Sequence, residues 1–291
     1  MKKMPVTAKV CLYATAVLTL VGVILRTVAM FTCFDSELGY FNSADASLPT
    51  VLTVLSFATV LSSIILSIAT PKGTLPDVWS EPRHNAIAAI PFALFGVAGA
   101  WHLWMAVSAG LANKLLLIAG LLAMLSALYY ISTATKASVL TVSALGLLPI
   151  LWGLISVAET YTDQFTTMNS PIKLGLQFGL LGVMLATTAE LRFRLGKSAP
   201  RAALCFHSIA VFLCFTGSIP VFVAILADQW DQAVHAPYAL ALMGAGIYIA
   251  FRFAAYFFAS APQTVAEGAV ACEAADTPAV TADDDRDSDN E

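Results

Sequence analysis

The chain has 291 residues, of which 58% are hydrophobic and only 12% charged, and its formal net charge is −4. Soluble domains carry about 25% charged residues, so this composition excludes a soluble globular protein and predicts the lipid bilayer, not nucleic acid, as the main partner. The negative charge lies in the tail 260–291, whose nine acids and single arginine contribute −8 and leave a body of +4.

Eight apolar runs follow one another and predict eight membrane-spanning helices. Each is about 20 residues or longer, enough at ~1.5 Å per residue to cross a hydrocarbon core of ~30 Å. No alternating pattern typical of membrane strands occurs, so the predicted fold class is all-α and polytopic. The runs are Val10–Phe31, Pro49–Ala69, Asn85–Ala109, Lys114–Thr133, Val139–Ala158, Pro171–Leu191, Ala203–Ala227 and Pro237–Phe258.

The distribution of basic residues predicts the orientation, because short cytoplasmic loops retain lysine and arginine. With the N-terminus inside, ten basic residues of the body lie in cytoplasmic segments near the helix ends. Only Lys114 and Lys173 then lie outside, both at helix starts. We therefore expect a multi-pass protein of the cell membrane with both termini in the cytoplasm.

Two polar islands indicate an internal duplication. Cys33–Pro49 and Glu159–Pro171 both combine an acid, aromatic residues and Asn-Ser before a proline, and an Ile-Pro motif precedes Trp in both Pro91–Trp101 and Pro220–Trp230. The pattern predicts two parallel four-helix halves, as in parallel-repeat transporters. Chance is the alternative, since proline and tryptophan are ordinary in membrane helices.

The predicted domains follow from this duplication and from the tail. The two halves are residues 1–134 and 135–259. The acidic tail 260–291 has almost no large apolar residue and is predicted to be disordered in the cytoplasm. Pro91, Pro149 and Pro220 lie within or near the middle of their spans and are expected to kink them.

Arg26 is the first candidate for a functional residue within a span. An arginine at a helix centre costs roughly 2.5 to 3.5 kcal/mol on insertion scales. Arg26 lies about five residues from the outer helix end, within reach of the interface. It is expected to reach the interface or to pair with Glu159, and binding of an anionic ligand is the alternative.

Glu190 and Arg194 lie four residues apart near the inner end of the sixth span. This spacing places the two side chains on one helix face, so a local ion pair is expected. Arg252 lies near the inner end of the eighth span and is within reach of the interface. If Arg252 faces Glu190 instead, these two residues would form a cytoplasmic gate.

The acids of the islands are candidates for a ligand-binding outer vestibule. Asp35 and Glu37 come from the first half and Asp163 from the second, so their carboxylates would attract a cation. Neighbouring aromatic rings would add cation–π attraction. The alternative is that the acids are merely solvated and the aromatic residues belong to the interfacial belt. These aromatic residues are Tyr40, Phe41, Tyr161 and Phe165.

His102 and His207 are lone histidines in spans, either proton relays or packed side chains. The five cysteines show no ligand spacing typical of zinc. Familiar hydrolase, nucleotide-binding and metalloprotease motifs are missing, so the sequence predicts no catalytic residue, no metal and no cofactor.

Asp35, Glu37, Gly39, Tyr40 and Phe41 form a short pattern after the first span. It resembles the outer-loop pattern of uncharacterised multispan membrane proteins of clostridial bacteria. The resemblance covers the first two spans, and it implies a bacterial cytoplasmic membrane without implying an activity.

These observations favour a transporter or permease for a small solute, with cations among the candidates. The alternative is a membrane sensor or accessory subunit that does not transport and binds a ligand or a membrane-protein partner through its outer loops. Depth discriminates between them, because a transporter needs polar groups near the membrane midplane.

Overall fold

A computed structural model shows the fold of most of the chain. Phe165, Trp230, Cys272 and the acidic tail lie outside the residues it describes. The described residues are 5–35, 37–42, 47–75, 85–135, 137–163, 166–167, 170–197, 199–229 and 233–258.

The protein is an all-α integral membrane protein with eight helical spans, as predicted. The fifth span consists of two helices, α5 and α6, and the others of one helix each. The helices are α1 Val6–Thr32, α2 Ser47–Ala69, α3 Asn85–Ser108, α4 Lys114–Thr133, α5 Val139–Leu145, α6 Leu147–Thr162, α7 Pro171–Arg194, α8 Pro200–Leu226 and α9 Ala236–Phe258.

The fifth span is interrupted at Gly146, between α5 and α6. Pro149 lies in the first turn of α6 and has no N–H to donate to the carbonyl of Leu145, where α5 ends. A side chain at Gly146 would approach Leu191 of α7 and Tyr129 of α4. The break is therefore placed by the proline, and the glycine allows close packing there. Pro91 and Pro220 lie inside α3 and α8.

A short β-hairpin, with two residues in each strand, lies between α1 and α2. Strands β1 (Phe34–Asp35) and β2 (Tyr40–Phe41) pair antiparallel. Gly39 has a φ of +73°, a conformation that glycine adopts readily, and a Cβ there would lie 2.9 Å from Thr167 Oγ1. The first polar island therefore packs against the second. We call this side of the bundle the hairpin end and the other side the Glu190 end.

Five helices form a closed ring. α3 packs against α4, α4 against α6, α6 against α7, α7 against α9, and α9 back against α3. α8 lies outside this ring along α7 and α9. The ring therefore has an interior to which five different helices can contribute side chains.

α1 and α2 pack against each other and against α8. The hydroxyl oxygens of Thr15 and Ser63 lie 2.5 and 2.8 Å from that of Ser208, and all three residues are buried. Many other side chains of α1 and α2 are exposed and apolar, as expected of helices that face lipid. These hydroxyls thus join three helices outside the ring.

The predicted duplication stays a prediction. It would relate the packing of α1 on α8 to a packing of α6 on α3. In the described helices, α4 separates α6 from α3 in the ring, whereas α1 lies directly along α8. The division into the halves 1–134 and 135–259 likewise stays a prediction.

Candidate functional site

Aromatic side chains meet in the middle of the ring. The Phe95 ring of α3 lies 4.8 Å from that of Trp152 on α6, and the Tyr130 ring of α4 lies 5.0 Å from that of Tyr248 on α9. These contacts join helices that are not neighbours in the ring, and Phe95 and Tyr130 are 4.9 Å apart. All four side chains are buried. We call these four residues the aromatic plug.

A charged cluster, the Glu190 centre, lies on one side of the plug. Glu190 Oε1 accepts hydrogen bonds from Arg252 Nη2 at 2.8 Å, Tyr248 Oη at 2.9 Å and Arg194 Nη2 at 3.1 Å. The side chains of Glu190 and Arg252 are 3% and 0% exposed. Two guanidinium groups thus face one carboxylate, and the cluster carries a net positive charge.

A second carboxylate, the Glu159 centre, lies on the other side of the plug, toward the hairpin end. Glu159 Oε2 accepts a hydrogen bond from Tyr238 Oη at 2.7 Å, and Oε1 accepts one from Asn113 Nδ2 at 3.2 Å. Asn113 also caps α4, because its Oδ1 accepts from Leu116 N–H at 3.1 Å. Both donors to Glu159 are neutral, unlike the arginines of the Glu190 centre.

His102 completes the Glu159 centre. Its imidazole ring is fully buried and lies 4.3 Å from the ring of Tyr238. The ring is near the carbonyl of Ala98, one turn earlier in α3, but within the described residues neither ring nitrogen has a partner with hydrogen-bond geometry. His102 is therefore a buried base beside the tyrosine that holds Glu159.

Further polar groups lie between the two centres. Ser156 Oγ and Trp152 Nε1 are buried and have no hydrogen-bond partner among the described residues. Tyr129 Oη is also without such a partner there, and it lies beside the Glu190 centre. Trp152 lies seven residues from Glu159 on α6, about 10 Å deeper along the helix. Phe95 lies the same seven positions from His102 on α3. Polar groups thus occur at mid-span depth inside the ring.

The structure distributes the predicted vestibule residues among different environments. Asp35 Oδ1 accepts hydrogen bonds from the backbone N–H groups of Glu37 and Leu38, both at 3.0 Å, and so stabilises the hairpin turn. The Glu37 and Tyr40 side chains are exposed, whereas Phe41 packs edge-on against Phe34. Of this group, Glu37 is the acid that faces solvent.

Asp163 is not solvated. Its side chain is 6% exposed, and Oδ2 lies 3.9 Å from Lys173 Nζ and 3.7 Å from His235 Nε2. Lys173 is itself buried and donates to the backbone carbonyls of Asp163 and Thr166 at 2.6 and 3.0 Å. Asp163 and Lys173 thus neutralise each other at the end of the bundle, while Tyr161 is exposed.

The predicted contact between Arg26 and Glu159 is not formed. Arg26 Nη2 instead donates to the carbonyl of Pro171, and its guanidinium occupies the space that a side chain at Gly175 would need. α1 is thereby joined to the start of α7. The glycine explains this arrangement, because any larger residue would exclude the guanidinium from that position.

His207 was a predicted candidate, whereas Tyr238 and Tyr248 had no sequence pattern that would have identified them. His207 is buried and its Nδ1 lies 2.9 Å from the carbonyl of Ala203, one turn earlier in α8. Tyr238 and Tyr248, which hold the two carboxylates, were not predicted. Their ten-residue spacing in α9 was visible, but within an apolar run it is indistinguishable from packing residues.

No group of three or more His, Cys, Asp or Glu side chains that could hold a metal ion occurs within the described residues. A cavity of about 400 Å³ opens outside the ring, between the segments that follow α2 and precede α8. Lys72 and Arg201 line it, and neither acid centre does.

The sequence matches no family model, and neither curated proteins nor solved structures show significant similarity to the chain. The fold and the ring interior therefore define the class by themselves. The protein is an integral membrane protein of eight helical spans, with two buried acid centres separated by an aromatic plug.

Proposed function

We propose that the protein transports a small solute across the membrane through the interior of the five-helix ring. The observation that carries this proposal is the series of polar groups at mid-span depth between the Glu159 and Glu190 centres. Buried polar atoms are costly in a membrane bundle and commonly mark solute or ion pathways. A protein that only anchors a partner has no need of them.

The aromatic plug corresponds to the closed part of such a route. Phe95, Tyr130 and Trp152 are fully or almost fully buried and fill the space between the centres. Opening would require the contacts between opposite helices to separate. The break at Gly146 and the prolines within α3 and α8 interrupt the regular helix hydrogen bonds and provide places where the helices can bend.

A cationic solute is favoured over an anionic one. Glu37 and Asp228 are exposed at the hairpin end, and Glu159 lies beneath the surface there with no arginine or lysine hydrogen-bonded to it in the part of the chain that the structure describes. An acidic entrance raises the local concentration of cations. By the distribution of basic residues, this end faces outward and both termini face the cytoplasm. The resemblance of the outer loop supports a bacterial cell membrane as its location.

The test begins with thermal unfolding of the purified protein in detergent against metal ions, amines, amino acids and organic anions. A compound at 100 times its dissociation constant stabilises the native state by about 2.7 kcal/mol. Each compound that stabilises the protein is then assayed for flux in vesicles containing the protein. We expect a cation to stabilise the protein and to be transported.

Two tryptophan variants locate the route. Trp152→Phe removes the indole N–H from the ring interior, and Trp104→Phe is the matched control, because Trp104 is 67% exposed on the outside of α3. Flux should change in the first variant and stay unchanged in the second. Binding without flux would overturn the proposal in favour of a sensor or accessory subunit, and equal effects in both variants would exclude the ring as the route.

A further inference from the structure

The Glu159 centre holds a buried carboxylate whose hydrogen-bond donors, within the described residues, are all neutral. Glu159 is 3% exposed, and both of its oxygens accept hydrogen bonds from neutral side chains. An isolated carboxylate in such a place is costly in its charged form. The structure offers Glu190 two arginines to offset this cost, and it offers Glu159 none within the described residues.

Among the described residues, Lys173 contributes positive charge near Glu159, but its ammonium group contacts other acceptors. Lys173 donates to two backbone carbonyls and lies 3.9 Å from Asp163, which occupies it. His235 also contacts Asp163. Lys114, at the start of α4, is exposed. The groups that act on the carboxylate are Tyr238 on α9, Asp163 directly after α6 and Lys173 on α7. The neighbouring elements also carry His102 on α3, which contacts Tyr238, His235 in the 3₁₀ turn before α9, which contacts Asp163, and Lys114 at the start of α4.

A proton fits this site better than any larger cation. Both carboxylate oxygens already accept a hydrogen bond, and the described part of the chain contains no group of three or more His, Cys, Asp or Glu side chains that could hold a metal ion. Asn113 is exposed and contacts Oε1, so water at the hairpin end is separated from Glu159 by a single amide. A proton can therefore arrive from that side.

We propose that Glu159 takes up and releases a proton at the hairpin end, and that this exchange is coupled to solute movement through the ring. A hydronium ion transfers its proton to a carboxylate oxygen, which yields a neutral carboxylic acid and water, and release is the reverse. The coupling rests on the proposed transport function, whereas the protonation of Glu159 does not.

α9 provides the connection between the proton and the rest of the route. Tyr238 donates to Glu159, and Tyr248 and Arg252 of the same helix donate to Glu190. Tyr238 and Tyr248 are ten residues apart, about 15 Å along the helix. Hydrogen bonds to a charged acceptor are roughly twice as strong as those to a neutral one. Protonation of Glu159 therefore loosens α9 at one end while the Glu190 centre holds it at the other.

Infrared difference spectroscopy of the purified protein between alkaline and acidic solution tests the protonation without any solute. We expect the carbonyl stretching band of a buried carboxylic acid to develop on acidification. The band should be lost in Glu159→Gln, which keeps an oxygen that can accept from Tyr238. It should persist in Glu37→Gln, the control for an exposed acid at the same end.

If Glu159→Gln folds poorly, two further variants test the assignment of the band to Glu159. Glu159→Asp should move the band without removing it, and Tyr238→Phe should shift it because the acid loses a hydrogen bond. A band that survives in Glu159→Gln, or the absence of any such band in the parent protein, would overturn the assignment.

Vesicles loaded with a pH-sensitive dye test the coupling. With a transported cation from the solute panel, we expect flux to respond to an imposed pH gradient and to move protons, and Glu159→Gln to abolish both responses. Flux that ignores the gradient would overturn the coupling. If the infrared band is present but no solute is transported, the proposed transport function is contradicted, whereas the protonation of Glu159 is supported.

Discussion

The two acid centres contain the same kind of side chain at similar burial and differ in the charge of their partners. Glu190 is 2% exposed and binds two arginines and a tyrosine through one oxygen. Glu159 is 3% exposed and, among the described residues, accepts hydrogen bonds only from a tyrosine and an asparagine. The difference shows that burial alone does not give a membrane carboxylate its role. Its neighbours decide whether it is a fixed ion-pair partner or a site for an exchangeable charge.

The largest expected effect is that of Glu190→Gln, which removes the negative charge between two buried arginines. Breaking a buried ion pair from one side costs about 3 to 5 kcal/mol, because the remaining charge is left uncompensated. Unfolding in detergent by heat or denaturant measures the loss. Glu37→Gln is the control and should change the free energy of unfolding by no more than about 0.5 kcal/mol. A loss in Glu190→Gln as small as in the control would mean that the ion pairs of the Glu190 centre do not stabilise the fold.

The tyrosines of α9 sharpen the comparison. In alkaline solution, Tyr238→Phe should cost about 1.5 to 3 kcal/mol, since a charged carboxylate oxygen loses its hydrogen bond. Tyr248→Phe should cost about 1 kcal/mol, because Glu190 retains both arginines. The same unfolding assay measures both variants. Equal losses, or a larger loss for Tyr248→Phe, would contradict the difference between the two carboxylates.

Glu159→Gln is expected to destabilise the protein only slightly. No cation loses its partner and the glutamine oxygen can still accept from Tyr238, so the free energy of unfolding should change by less than about 1 kcal/mol. Unfolding in the same detergent, beside Glu190→Gln, gives the direct contrast. A loss comparable with that of Glu190→Gln would reveal a counter-charge at Glu159 and would remove the distinction between the centres.

Asp35→Asn should have the smallest effect. The asparagine oxygen can accept the same two backbone N–H groups in the hairpin turn, so we expect a change within about 0.5 kcal/mol. The measurement is again unfolding in detergent, with Asp35→Ala as the variant that loses both hydrogen bonds and is less stable. If Asp35→Asn were as unstable as Asp35→Ala, the negative charge itself would matter at the hairpin.

The spans could be predicted from the sequence because hydropathy and length are local properties. α4 has the predicted limits Lys114–Thr133, and the other spans differ from prediction by a few residues at their ends. The pair Glu190 and Arg194 was also predictable, since the four-residue spacing fixes which face of a helix the side chains share.

The Glu159 centre and the position of Arg26 could not be predicted, because both depend on which helices become neighbours. Tyr238 finds its acceptor 79 residues away in the chain, and Arg26 finds its acceptor 145 residues away. Glu159 lies near the end of its span, so from the sequence Arg26 of α1 is as reasonable a partner for it as Tyr238 of α9. Only the packing of Arg26 over Gly175 decides between the two arrangements.

The hydroxyl contacts that join α1, α2 and α8 have a consequence for assembly during synthesis. Ser63 and Ser208 are 145 residues apart, so at 5 to 20 residues per second α1 and α2 wait about 7 to 30 s in the membrane before α8 is made. Thr15 and Ser63 hydrogen-bond to the carbonyls of Cys11 and Thr59 in their own helices. These bonds satisfy the two hydroxyls, so α1 and α2 can remain in the bilayer until α8 is inserted and packs against them.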